Sequence, residues 1–183
     1  MVNGLNLSTE YSASLGRRIL LVDDDEDFIA SLSPLLQSRG YEVRTATRPA
    51  DASIEVKAVS RPIDVALVDL RLGTTNGLDL VADLRSYNPN LVCVLITAYA
   101  TVDTAVAALS SDVSEYLRKP FSIDDLLAIL DRCFLRVQLE RDKRAAEEAL
   151  QLANAEMEDR IALRTSELEA ARLEAQEANL AKR

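Results

Sequence analysis

The sequence has no histidine anywhere in its 183 residues. That single absence excludes a phosphohistidine, a histidine-dependent nucleophilic triad and an imidazole metal ligand for this chain. Tryptophan is missing too, and aromatic residues make up only 4% of the sequence. A core drawn from its 48% hydrophobic content is therefore aliphatic. The only two cysteines are Cys93, in an apolar strand-like run, and Cys133, in a helix-like run. They make no disulfide framework and read as small buried residues of a protein in the reducing cytoplasm. No run approaches the roughly 20 apolar residues of a membrane span. Met1 to Gly16 lacks the basic start and apolar centre of a secretory signal. Positive charge is scarce as well, with 21 Lys and Arg against 30 Asp and Glu, a net −9. Phosphate backbones need a basic face, so nucleic-acid contacts are not expected of this chain.

What is present is an alternation. From Arg17 to about Phe121, short apolar runs at 18–22, 41–45, 64–69, 91–97 and 114–118 read as strands. Helical periodicity falls near 26–38, 49–60, 77–87, 101–110 and from 122 onward. Gly40, Gly73 and Gly77 punctuate the connections, as do Pro49, Pro62, Pro89 and Pro120. Five strands alternating with five helices predict an α/β fold: a doubly wound, five-stranded parallel sheet with helices on both faces. Residues 1–16 read as a flexible lead-in, 17–134 as the domain, and 135–183 as a helix that continues the domain's last one.

Neither Gly nor Pro occurs from Phe121 to Arg183. Ser122 is placed to cap that helix, with Asp124 and Asp125 in the first turn where the dipole favours acid. Ala, Leu, Glu and Arg, all good helix formers, follow. A continuous helix to the end would run about 93 Å, more than one such domain can cover, so it is expected to project. Its apolar positions are Leu126, Leu130, Phe134 and Val137, then Leu150, Ala153, Met157 and Ile161, then Leu168, Ala171, Ala175 and Ala178. Steps of three and four dominate, with two consecutive fours at 153, 157 and 161. The expectation is a parallel two-stranded coiled coil, hence a homodimer.

Four of the apolar runs end in a polar group: Asp23-Asp24-Asp25, Asp69, Thr97 and Lys119. Ligands of open parallel sheets bind at the carboxyl ends of the strands, so the four groups belong in one crevice. Asp23, Asp24 and Asp69 crowd like charges, which makes sense around a cation. Mg²⁺ fits, since it takes oxygen ligands and keeps several waters. Lys119 supplies a point charge for a phosphoryl group, and the Thr97 hydroxyl and Ala98 N–H can donate to its other oxygens. Asp69 is then the nucleophile that forms an acyl phosphate. Each piece alone is weak, because a strand-end Asp usually caps a helix or forms a turn; the order and placement of the whole set carry the reading.

These motifs resemble the receiver domain of two-component response regulators. The matching residues are Ile19-Leu20-Leu21-Val22-Asp23-Asp24-Asp25, Val68-Asp69-Leu70-Arg71-Leu72 with Asn76-Gly77-Leu78, Ile96-Thr97-Ala98 and Tyr116-Leu117-Arg118-Lys119-Pro120-Phe121. The resemblance implies a flavodoxin-like fold with Asp69 as phosphoacceptor. It implies that Mg²⁺ is held by Asp23, Asp24, Asp69 and the Arg71 carbonyl. Thr97 and Tyr116 would be the switch pair, Lys119 the phosphate-binding lysine, and a histidine kinase or phosphotransfer protein the donor. Two departures stand out: Gly73-Thr74-Thr75 where the family often has a Pro after Leu72, and Asp112 where a Gly is common.

The tail segments Arg164-Thr165-Ser166-Glu167-Leu168-Glu169-Ala170-Ala171 and Glu177-Ala178-Asn179-Leu180-Ala181-Lys182 resemble the helix that enters the dimerisation domain of sensor histidine kinases. That implies the N-terminal part of a hybrid histidine kinase, although this stretch carries no kinase domain of its own. Two alternatives remain. One is a response regulator whose output domain, an enzyme or a DNA-binding domain, lies elsewhere. The other is an Asp-nucleophile phosphatase, which wants an acid two residues after its nucleophile, where Arg71 stands.

Overall fold

The computed structural model describes residues 16–58, 62–98 and 113–180, with side chains as far as Arg172. All of the expected lead-in at 1–16 except Gly16, the helix at 101–110 and Asp112 lie outside the described residues.

Strands β1 (Arg18–Val22), β2 (Glu42–Ala46), β3 (Val65–Asp69), β6 (Val92–Thr97) and β7 (Glu115–Arg118) form one sheet in the order β2-β1-β3-β6-β7. Every pairing in it is parallel. Each strand begins and ends within one residue of its expected range. Two short strands, β4 (Arg71–Leu72) and β5 (Thr75–Asn76), pair antiparallel in the loop after β3 and were not expected. The helices are α1 (Glu26–Ser38), α2 (Pro49–Ala58), α3 (Gly77–Tyr87) and α4 (Ile123–Leu180).

The period of two along each strand sorts the core into two faces. Ile19, Leu21, Val65, Leu67, Val92, Val94 and Ile96 pack with Leu32 and Leu36 of α1 and with the start of α4. Leu20, Val22, Ala66, Val68, Cys93 and Leu95 pack with Ala52 of α2 and with Leu80, Val81 and Leu84 of α3. Strands buried on both faces read as unbroken apolar runs, which is why β1, β3 and β6 carry hardly a polar residue. Both cysteines are buried and free. Among the described residues no helix is long and apolar enough to cross a membrane.

Leu126, Leu130, Phe134 and Val137 are buried in the first of these cores. They were expected to open the apolar stripe of a projecting helix; the chain's own sheet covers them instead. Tyr41 stacks on Phe134 at 5.6 Å, and the Arg17 guanidinium lies 5.1 Å from the same ring. Ser122 caps α4 as expected: its hydroxyl accepts from the Asp125 N–H at 3.1 Å, and its own N–H donates to the Asp125 carboxylate at 3.3 Å. Residues to Val137 form one compact unit and Gln138–Arg183 a second. The second unit is helical to Leu180.

Gly77 is where the fold tolerates no side chain. It opens α3 behind the Asn76 cap, and its N–H donates to the Leu70 carbonyl at 2.8 Å. A Cβ there would collide with the Asp69 carbonyl oxygen and stand 3.0 Å from the Leu70 Cα. Those neighbours are backbone and cannot rotate away. Gly77→Ala is therefore expected to lower the unfolding free energy by about 3 kcal/mol, read from urea denaturation.

Candidate functional site: an acidic crevice closed by a lysine

The strand order reverses between β1 and β3. The chain leaves β1 toward β2 on one side and leaves β3 toward β6 on the other, which opens a crevice at their carboxyl ends. Asp23 follows β1 directly, Asp69 is the last residue of β3, Thr97 is the last of β6, and Lys119 follows β7. Register holds these ends level: Val22 pairs with Val68, Asp69 with Ile96 and Thr97 with Arg118.

Asp23, Asp24 and Asp69 each bring one carboxylate oxygen to within 4.8 Å of the other two. Each is aimed by a backbone N–H. Asp25 donates to Asp23 Oδ1 at 3.0 Å, Gly73 to Asp24 Oδ2 at 3.0 Å, and Arg71 to Asp69 Oδ1 at 3.0 Å. The remaining oxygens of Asp23 and Asp69 meet the Lys119 ammonium, at 2.6 and 2.9 Å. Asp23 is 1% exposed, Asp69 12% and Lys119 18%, whereas Asp24 lies open to solvent.

Burial pushes the Asp23 carboxyl above its ordinary range, against the opposing pull of Lys119 and the Asp25 N–H. Burial also works to depress Lys119, but hydrogen bonds and charge from Asp23 and Asp69 outweigh it, and the ammonium is raised. The two shifts act on stability in the same sense. Asp23 contributes stability below the usual carboxylate pKa that is lost as pH rises through its raised value. Lys119 contributes stability up to the ordinary lysine value of 10.5 that is lost as pH rises through its own.

Thr97 is fully buried, and its carbonyl accepts the Lys119 N–H at 2.8 Å, which ties β6 to the residue carrying the ammonium. Tyr116 pairs with Leu95 on the neighbouring strand. Its hydroxyl is buried with no hydrogen-bond partner among the described residues. Arg71 joins the cluster through its backbone N–H, and its residue is exposed. Ala98 follows Thr97 at the exposed rim.

Three features escaped the sequence reading. The Phe28 ring lies 3.9 Å from the Lys119 ammonium and packs edge-on against Phe121. Phe28 is one of only three phenylalanines and sits one helical turn past the acidic run. The loop after Asp69 is closed by the β4–β5 pairing, with Gly73 at φ +59° and bound to Asp24. The Lys119–Pro120 bond is cis.

Residues 19–131 match the response regulator receiver domain family, and the chain belongs to it. Over 116 residues it is 40% identical to the photosynthetic apparatus regulatory protein RegA of Cereibacter sphaeroides, which covers 63% of this chain and 62% of RegA. Over 109 residues it is 40% identical to the alginate biosynthesis transcriptional regulatory protein AlgB of Pseudomonas putida, which covers 60% of this chain and 24% of AlgB. Among solved structures, a response regulator from Burkholderia pseudomallei, determined with a phosphorylated aspartic acid, a calcium ion and citrate, is 34% identical. Its TM-score is 0.57, and the match covers 68% of this chain and 72% of that one.

The charge balance of the crevice can be read from pH. Without divalent cations, wild type is expected to be more stable than Lys119→Met by about 2 kcal/mol at pH 8. The gap should close as pH rises beyond 10.5, the ordinary lysine value. Urea denaturation across pH 8 to 12 checks both parts.

Proposed function

We propose that the crevice accepts a phosphoryl group on Asp69. The observation that carries this is the convergence of Asp23, Asp24, Asp69 and Lys119 at one sheet edge, with the lysine ammonium shared between Asp23 and Asp69. Asp69 attacks the phosphorus of a phosphohistidine on a histidine kinase or phosphotransfer protein. A P–O bond forms, the P–N bond breaks, and the electron pair leaves on the imidazole nitrogen. The product is an acyl phosphate. Lys119 pairs with the transferred group, the Ala98 N–H donates to it, and the Thr97 hydroxyl turns toward it. Tyr116, whose hydroxyl has no hydrogen-bond partner among the described residues, follows Thr97 by changing rotamer. The phosphorylated aspartic acid of the Burkholderia pseudomallei relative supports the reading.

The donor set suits Mg²⁺: three carboxylate oxygens close together and, among the described residues, no imidazole or thiolate ligand beside them. Asp23, Asp24, Asp69 and the Arg71 carbonyl would hold it, and it would offset charge on the transferring oxygens.

The second unit presents a run of exposed apolar residues on one helix. We read it as a parallel dimer element whose association responds to phosphorylation of Asp69. The likeness of residues 164–182 to the helix entering a kinase dimerisation domain supports a hybrid histidine kinase as the whole protein. The lengths of RegA and AlgB that lie outside the match support the second reading, a regulator with a separate output domain.

Intact mass after acetyl phosphate treatment tests the chemistry. One added phosphoryl group is expected with Mg²⁺, none without it, and none in Asp69→Asn of unchanged circular dichroism. Addition that persists in Asp69→Asn would overturn the assignment. A second test isolates Asp24, whose charge repels Asp23 and Asp69 without touching Lys119. Asp24→Asn keeps an acceptor for the Gly73 N–H. It is expected to raise the metal-free melting temperature by about 3 °C and to abolish the further rise on adding Mg²⁺, both read by calorimetry.

A further inference from the structure

Of the eleven large apolar side chains exposed among the described residues, seven lie on α4 between Leu139 and Leu168. Five of them fall into two series with a period of eleven. Leu139, Leu150 and Ile161 form one, and Met157 and Leu168 the other, which Ala146 begins. Merged, the steps run 139, 146, 150, 157, 161, 168, alternating seven and four. Eleven residues make three turns at 3.67 per turn, close to the natural 3.6, so this row stays on one side of a nearly straight helix. A heptad frame set by Ala146, Leu150, Ala153 and Met157 would instead continue through Arg160, Arg164 and Glu167 and put charge in the seam.

From Ala146 onward the charges flank the row with opposite signs. Glu147, Glu158 and Glu169, again eleven apart, lie eight residues after each member of the first series and form one shoulder. Arg160 and Arg164 stand on the other shoulder, where Arg164 also pairs with Glu167 of its own helix at 3.4 Å. In a parallel pair with a two-fold axis along the helices, the left shoulder of one chain meets the right shoulder of the other, and Glu158 meets Arg160 and Arg164. An antiparallel pair would set the glutamate shoulders against each other. Leu152 and Leu163, also eleven apart, lie two residues past Leu150 and Ile161, about 200° round the helix and outside this seam.

We infer that α4 from Leu139 to Leu168 is a parallel, in-register docking surface for a second copy of this chain, built on an eleven-residue rather than a seven-residue seam. The inference rests on the dimer reading above and specifies which residues meet.

Single-cysteine variants of the full chain test it. Native Cys93 and Cys133 stay silent because burial pushes their thiols up to about 11 and about 12. Cysteines at Ile161 and Leu168 are expected to form interchain disulfides at least about ten-fold faster than cysteines at Arg160 and Glu167. Sedimentation should show Leu150→Gln or Ile161→Gln weakening the dimer and Leu152→Gln or Leu163→Gln leaving it unchanged. Glu158→Arg is expected to weaken it about five-fold, and Arg160→Glu with Arg164→Glu should restore the affinity of that variant. A dimer that cross-links fastest at 160 and 167 overturns the eleven-residue seam and leaves the dimer reading standing. A dimer in which no single-cysteine variant cross-links overturns the parallel register. A monomer at all concentrations overturns the dimer reading and the seam with it.

Discussion

The Lys119 ammonium shared by Asp23 and Asp69 is the contact on which the crevice depends. Like charges a few ångströms apart repel by several kcal/mol at an effective dielectric of about 20. Three carboxylates at one sheet edge therefore persist only with a cation among them. The chain supplies one from the far side of the sheet: β7 is three strands from β1 in the order, yet Lys119 reaches Asp23 because every strand ends at the same level. The apolar sheet sets where the charges stand, and the lysine offsets their repulsion. A divalent ion placed there competes with the same ammonium for the same oxygens. The balance between the two charges is thus built into the geometry of the strand ends.

The backbone does the aiming. One N–H from Asp25, Gly73 or Arg71 takes one oxygen of each carboxylate. For Asp23 and Asp69 the second oxygen is turned toward the lysine. Two of these donors come from the loop after β3. That loop holds its shape through the β4–β5 pairing, the left-handed Gly73, and Gly77 packed directly behind the Asp69 carbonyl. Both glycines have a physical reason: one supplies a positive φ and the other leaves room for backbone. The Asp69 backbone is thereby packed against the start of α3, so a displacement of Asp69 would be felt along that helix.

Much of this was legible in the residues. Strands buried on both faces announce themselves as continuous apolar runs, and their ends fell within a residue because Asp, Thr and Lys mark the points where the apolar runs stop. Residue type and strand order were enough to bring Asp23, Asp24, Asp69 and Lys119 together. The β4–β5 pairing was not legible, since two-residue strands have no periodicity to read. Neither was the Phe28 contact with Lys119, which joins residues 91 positions apart and depends on the turn of α1. Gly73-Thr74-Thr75 looks permissive in composition, but a glycine used for its φ and tied by its N–H to Asp24 orders a loop rather than loosening it.

The last helix shows the limit of composition most plainly. Leu130 and Leu150 have the same helix propensity, yet Leu130 is fully buried against the sheet and Leu150 is 61% exposed. Spacing separates them. Up to Val137 the apolar positions recur at short steps of one, three and four, the broad stripe of a helix lying on a sheet. From Leu139 one row, through Leu150, Met157, Ile161 and Leu168, is spaced by alternating sevens and fours with Ala146, the narrow row that a helix meeting one other helix would carry. An isolated helix of this polarity is marginal in water, and leucine, isoleucine and methionine repeated at one phase for thirty residues give it no advantage while they face solvent. They lower the free energy only when a surface of the same period lies against them, and a second copy of the chain is a surface of that period.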